Sequence, residues 1–365
     1  MVPAISNRRY VPALDGIRGI AIILVVLYHN FGFIKTSYFG WLGVDLFFVL
    51  SGFLITSILL DQSGQPGFLK NFFMRRVLRI FPLYYLCLLI FLVIFPAFGF
   101  FTKQLNYFTE NQWWLWTYLQ NWLYSLHPSQ EGTMLTHFWS LAVEEQFYII
   151  WPLIILFFKR PKRLVIVMLG ILLLTIAARS IVWFYHIEDL NYTTLYTFTR
   201  IDGICIGSIV AILMKINPEL ISKNLAIIAT ALAAINFGFY FLNEADKDGY
   251  PYYAFVGYTT FCSMFGLAVH EVVNSSPTNI PNRILSVKPL RFLGKISYGF
   301  YIFHWPIFVM TNGYFFSLVQ SETGLNITLS RLLAAILSTG LALILSVISY
   351  YSFERYFLQL KDKYK

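Results

Sequence analysis

Apolar stretches close to twenty residues long recur along this 365-residue chain, near 14–31, 40–60, 81–101, 137–158, 164–185, 194–214, 224–243, 252–273, 293–316 and 328–351. A helix of about 20 residues rises about 30 Å, the thickness of a bilayer's hydrocarbon core, and pairs its own backbone polar groups where water cannot. The pattern predicts an all-α polytopic membrane protein with about ten transmembrane helices. Composition agrees: 58% of residues are hydrophobic and 12% charged, with mean hydropathy +0.63, whereas a soluble domain is roughly half apolar and a quarter charged. No polar stretch is long enough to build a soluble core, so residues 1–365 read as a single transmembrane domain. Arg8 and Arg9 give the first stretch the look of a signal peptide. Asp15 and Arg18 interrupt it, however, and no small-residue cleavage site follows, so it reads as a retained span.

Orientation follows from charge. One segment is ambiguous: WWLWTYLQNWLYSL at 113–126 is short for a crossing and dense in Trp and Tyr, rings that favour the headgroup level. If it does not cross, ten spans place both termini on one side. Loops on that side then hold nineteen Lys and Arg, against Lys35, Lys103 and Lys247 on the other. If it did cross, KRPKR at 159–163 would fall outside, against the rule that Lys and Arg collect on cytoplasmic loops. Both termini are therefore predicted to be cytoplasmic, and 113–126 to form an interfacial or re-entrant helix within an external element, 102–136. The same rule explains the net charge of +9 without nucleic acid as a partner. Cys87, Cys205 and Cys262 lie inside apolar stretches with no CxxC or CxxH spacing, so neither a disulfide framework nor a metal site is indicated.

Ionisable residues inside spans are expensive and mark paths or sites. Arg18 and His29 in the first span are eleven residues apart, about 20° from three full turns, so they share one helix face, roughly 16 Å apart along the axis. With the N-terminus inside, Arg18 lies near the cytoplasmic surface and His29 in the outer half. Asp45 falls near the outer end of the second span. His137 stands at the mouth of the fourth, with Glu144 and Glu145 deeper and about 100° apart around the helix. Arg200 and Asp202 lie in the outer half of the sixth, where a structural ion pair competes with a functional role. At the inner level stand Arg18, Arg75, Arg76, Arg79 and Lys295. They read either as an orientation and lipid-contact signal or as guanidinium forks around an anionic ligand. Ser297, Tyr298, Tyr301 and His304 recur at helical spacing ahead of Pro306. No GxSxG elbow, HExxH pair or Walker loop is present, which argues against the usual hydrolase, metalloprotease and NTPase chemistries.

Through LDGIRGIAI, GVDLFFVLSGFLI, FFMRRVLRIFPLYY, FWSLAVEEQFYIIWP, TRIDGICIGS and GKISYGFYIFHWP, the chain resembles the acyltransferase-3 family of membrane O-acyltransferases, bacterial proteins that acetylate surface polysaccharides. The resemblance implies acyl transfer from a cytoplasmic acyl-CoA, acetyl-CoA first of all, to a hydroxyl of a lipid-linked or exported glycan. It implies a multi-pass protein of the bacterial plasma (inner) membrane with no permanently bound cofactor and no metal. By the family's spacing of Arg, ten residues and His, His29 corresponds to the catalytic histidine and Arg18 to its partner. Arg75, Arg76 and Arg79 correspond to the family's basic motif, with Lys295 as a further donor contact. Asp45 or Glu144 is expected to orient His29, which acts either as base or as an acylated relay. Glu145, Tyr298 and His304 are the expected substrate-binding residues. The chain ends at Lys365, so the hydrolase-like domain fused to some members is expected to be absent. The acyl group would then pass directly to its acceptor or to a separate periplasmic or extracellular transferase. The competing reading is a transporter or flippase for an acylated glycan or anionic metabolite, whose usual sign is a pair of interrupted helices in corresponding halves; no such symmetry is visible here.

Overall fold

Pro12 opens the first helix, α1 (Pro12–Asn30), where a missing N–H and a fixed φ cost nothing. In the computed structural model, which describes residues 10–127, 133–185, 196–217, 225–242 and 257–364, α-helix is the dominant element and no strand occurs among the described residues. α2 (Leu42–Gln62) and α3 (Phe68–Leu89) follow, then three short helices, α4 (Thr102–Glu110), α5 (Gln112–Trp116) and α6 (Gln120–Leu126). Next come α7 (Trp139–Phe158), α8 (Pro161–Phe184), α9 (Thr197–Arg200), α10 (Asp202–Ile216), α11 (Leu225–Leu242) and α12 (Tyr258–Asn274). α13 (Ile280–Leu285), α14 (Lys288–Thr323) and α15 (Ile327–Ser349) complete the bundle, and a π turn carries α15 into α16 (Arg355–Lys361).

Seven helical stretches among the described residues are long and apolar enough to cross a bilayer: Pro12–Asn30, Lys35–Gln62, Phe68–Ala97, Thr136–Phe158, Pro161–Val182, Lys288–Thr323 and Ile327–Lys361. They coincide with the first five and last two of the predicted spans. α10, α11 and α12 occupy the positions of the other three; the starts of the sixth and eighth spans and both ends of the seventh lie outside the described residues, as do Arg8, Arg9, Lys223, Lys247 and Lys365. The protein is thus an all-helical, polytopic membrane protein. Phe157, Ile166, Leu173 and Ile344 are exposed, apolar side chains that lipid covers without cost.

Two departures from the sequence reading shape the site. α3 begins at Phe68 rather than near 81, so Arg75, Arg76 and Arg79 sit on a rigid helix instead of a loop. Hydropathy marks where a helix is apolar, whereas Leu, Lys, Arg and Met extend its hydrogen bonding into the polar zone. The segment 113–126 is folded as α5 and α6, parted at Tyr118, whose φ of 55° breaks the helical run. At five and seven residues neither can cross a bilayer. They pack instead over one end of α3 and α7: the Tyr84 hydroxyl donates to the Leu115 carbonyl at 2.8 Å, and Gln120 Nε2 to the Phe138 carbonyl at 2.8 Å.

Close helix contacts fix the rest. α1 runs against α14 so tightly that a Cβ on Gly294 would fall onto the Asp15 carbonyl. α2 crosses α10 the same way, with Gly52 against the Ile204 carbonyl and Gly207 against that of Val49. Small residues at these crossings substitute van der Waals contact for the hydrophobic drive that lipid removes.

Candidate active site

α1, α3, α14 and the π turn after α15 meet at one end around a cavity of about 370 Å³. Arg18, Arg79, Lys295, Arg355 and Lys361 line it, opposed by Asp15, Glu354 and Asp362. Arg18 is held by Asp15 one turn back at 3.0 Å. Arg18, Arg79 and Tyr298 also line a second, narrower cavity of about 110 Å³, so the two adjoin. The narrow cavity runs between α2, α3, α7 and α14, past Arg76, Ser51, Glu144, Glu145 and Tyr148, to Ser140 and Tyr301. The Arg76 guanidinium lies 5.5 Å from the Tyr148 ring centre. Tyr148 donates to Glu144 at 3.1 Å and bonds Ser51. The Glu145 carboxylate is buried with Oε1 unpartnered.

Beyond Ser140 and Tyr301 three imidazoles converge. Tyr301 donates its hydroxyl proton to the His137 carbonyl at 2.7 Å and accepts from Ser140 at 2.6 Å. Its ring is 5.6 Å from that of His304. His304 lies 5.1 Å from both His29 and His137, centre to centre. Hydrogen bonds set the tautomers. His29 Nδ1 is 3.0 Å from the Val25 carbonyl and His304 Nδ1 2.7 Å from that of Tyr301. A carbonyl only accepts, so each Nδ1 carries its proton. His304 Nε2 then bears a lone pair and shares the His29 proton at 3.3 Å. The basic lone pair of His29 is thereby assigned to Nε2. Trp305 stands beside it at 5.3 Å, its indole N–H given to the Thr133 carbonyl at 2.8 Å. Among the described residues no group of three or more His, Cys, Asp or Glu is disposed to hold a metal ion.

The expected site residues therefore divide. Arg18, Arg76, Arg79, Lys295, Tyr298, Glu144 and Glu145 surround the two cavities, and both glutamates line the same one despite their angular separation. Arg75, half-buried on α3, is not among the lining side chains. His304 joins His29 directly. Asp45 and Glu144 do not take the expected place beside His29. Asp45 is committed to Arg200 at 2.6 Å, and that guanidinium lies 4.0 Å from the Tyr258 ring centre. Arg179 and Asp202 pair at 2.9 Å alongside. These four charges join α2, α8, α9 and α10 as a structural network. Glu144 is spent on Tyr148, so the Val25 carbonyl and His304 orient His29 instead. His137 and Tyr301 received no role from sequence. His137 sits in a turn of 3₁₀ helix before α7, where helical phase cannot place a ring.

The chain matches the model of an acyltransferase domain over residues 11–351. It is 32% identical to the peptidoglycan O-acetyltransferase OatA of Listeria monocytogenes across 98% of this chain and 58% of that protein. It is 31% identical to the O-acetyltransferase OatA of Staphylococcus aureus across 84% of this chain and 52% of that one. The chain thus spans little more than half the length of these curated relatives. No solved structure matches it.

Proposed function

The chain belongs to the acyltransferase-3 family, and from that premise we propose that it is a membrane O-acetyltransferase acting on a cell-wall glycan. Acetyl-CoA is its donor and a peptidoglycan-type sugar hydroxyl its acceptor. The observation that carries this reading is a cationic vestibule adjoining a narrow cavity whose far end, at Ser140 and Tyr301, abuts a cluster of three histidines. Arg18, Arg79, Lys295 and Lys361 suit the phosphates of CoA, which guanidinium forks and ammonium groups bind well. The thin pantetheine arm suits the narrow cavity, with Arg76 at its side. His29 Nε2 takes the proton of the acceptor hydroxyl as that oxygen attacks the thioester carbon, and the Val25 carbonyl holds the ring in the tautomer this requires.

The excess of Lys and Arg on one set of loops supports a ten-span topology in the bacterial plasma (inner) membrane with both termini cytoplasmic. The vestibule then opens to cytoplasmic acetyl-CoA and the histidines lie toward the outer face, where a lipid-linked or exported glycan arrives. The test is transfer itself. Purified protein in liposomes, given acetyl-CoA with a labelled acetyl group and peptidoglycan fragments, is expected to label the fragments and release CoA. Movement of glycan or CoA across the bilayer with no acetyl transfer would replace this reading with the transporter.

A further inference from the structure

His137 is 2% exposed, and neither of its ring nitrogens makes a well-formed hydrogen bond, the backbone carbonyls of Tyr301 and Ile302 lying near the ring without meeting that geometry. A neutral imidazole offers one donor and one acceptor, and native folds seldom bury both unmade unless a ligand or water completes them. The ring is not loosely placed. Its turn is pinned by Tyr301 on the His137 carbonyl at 2.7 Å, by Gln120 on the Phe138 carbonyl at 2.8 Å and by Tyr124 on the Leu135 carbonyl at 3.2 Å. It lies 5.5 Å from Tyr301, which closes the narrow cavity, and 6.5 Å from His29. His304 and His29 touch through an N–H shared at 3.3 Å with ring centres 5.1 Å apart. His137, by contrast, spends neither ring nitrogen on His29. Both the end of the narrow cavity and His29 therefore border a buried imidazole that commits neither ring nitrogen to a well-formed hydrogen bond.

We propose that His137 is a further catalytic residue, its ring N–H donating to the carbonyl oxygen of the acetyl group while His29 takes the acceptor proton. This rests on the acetyl-transfer reading above. The acceptor oxygen bonds to the carbonyl carbon as its proton passes to His29 Nε2. The carbonyl π pair becomes an oxyanion held by the His137 N–H. The pair returns, the C–S bond breaks, and the departing sulfur takes the proton from His29, leaving an ester and free CoA thiol. A neutral imidazole stabilises that oxyanion without adding a buried charge, and a donor fixed in an enclosed site needs no reorganisation when charge develops.

The experiment compares His137→Gln, which keeps an N–H donor, with His137→Met, which fills a similar volume and has none. Both are reconstituted beside the parent and His29→Ala. CoA binding is expected to match the parent in all four. Transfer by His137→Met should fall about 10²–10³-fold in kcat with KM for acetyl-CoA changed by less than about threefold. His137→Gln should recover about tenfold or more of that loss, and the pH dependence of its residual rate should keep the parent's inflection, which belongs to His29. Transfer by His137→Met within about threefold of the parent, Gln no better than Met, or an inflection that disappears in His137→Gln would each overturn the proposal. A parent protein that binds CoA yet transfers no acetyl group instead removes the acetyl-transfer reading, and this role for His137 with it.

Discussion

On the proposed function Arg76 and His29 would serve two halves of one task, because the first borders the narrow cavity and the second stands beyond the Tyr301–Ser140 contact that closes it. Binding and chemistry should accordingly separate by mutation. Arg76→Ala removes a charge-assisted contact worth about 1.5–3 kcal/mol, so CoA titrated against correctly inserted protein should bind roughly ten- to hundred-fold more weakly. Unchanged affinity would mean that the α3 arginines only orient the protein or contact lipid. His29→Ala should bind CoA normally and lose about 10²–10⁴-fold in transfer rate. His29→Gln should do little better, since an amide cannot accept and return a proton; robust acetylation by that variant would reduce His29 to a packing residue. His304→Ala should be milder than His29→Ala, because the Val25 carbonyl still fixes the His29 tautomer when the His304 lone pair is gone.

Between elements, the Asp45–Arg200 and Arg179–Asp202 pairs tie α2 and α8 to the α9–α10 segment deep in the bundle. Removing one partner of a buried pair strands the other charge, at a cost of about 3–5 kcal/mol, whereas replacing both with apolar residues of similar size can be neutral. Asp45→Ala should therefore lower the melting temperature and yield in detergent, and Asp45→Leu combined with Arg200→Met should restore both. An Asp45→Ala protein that melts like the parent but fails to transfer acetyl groups would return Asp45 to the catalytic role its sequence position implied. The α1–α14 crossing matters in another way, since it brings His29 and His304 to the same level. Gly294→Leu would force the Asp15 carbonyl away and should cost folding and activity together, read as loss of monodisperse protein.

For the whole molecule, the proposed ten-span topology would fix which aqueous phase each cavity meets. A cysteine introduced at position 247 should react with a membrane-impermeant reagent from outside, and one at position 162 only from inside. The native Cys87, Cys205 and Cys262 are buried and should stay silent. Labelling of position 162 from outside would reverse the vestibule. Helical class, the long crossings and the shared face of Arg18 and His29 were all legible in the sequence, because apolar length and the helical repeat are local properties of the chain. Family membership was legible too, through motifs spread along the chain. Partner choice was not. Depth alone put Asp45 near His29 as readily as near Arg200, and only the α2–α10 crossing gave it to the arginine. His137, in a short turn without helical phase, became a site residue only when α5 and α6 packed over that turn and α14 delivered Tyr301 and His304 to it. Sequence determined which residues share a helix face and how far apart they stand along it. Tertiary structure decided which of them touch, since contacts across helices depend on rotation and crossing angle, and these are set by the packing of the whole bundle.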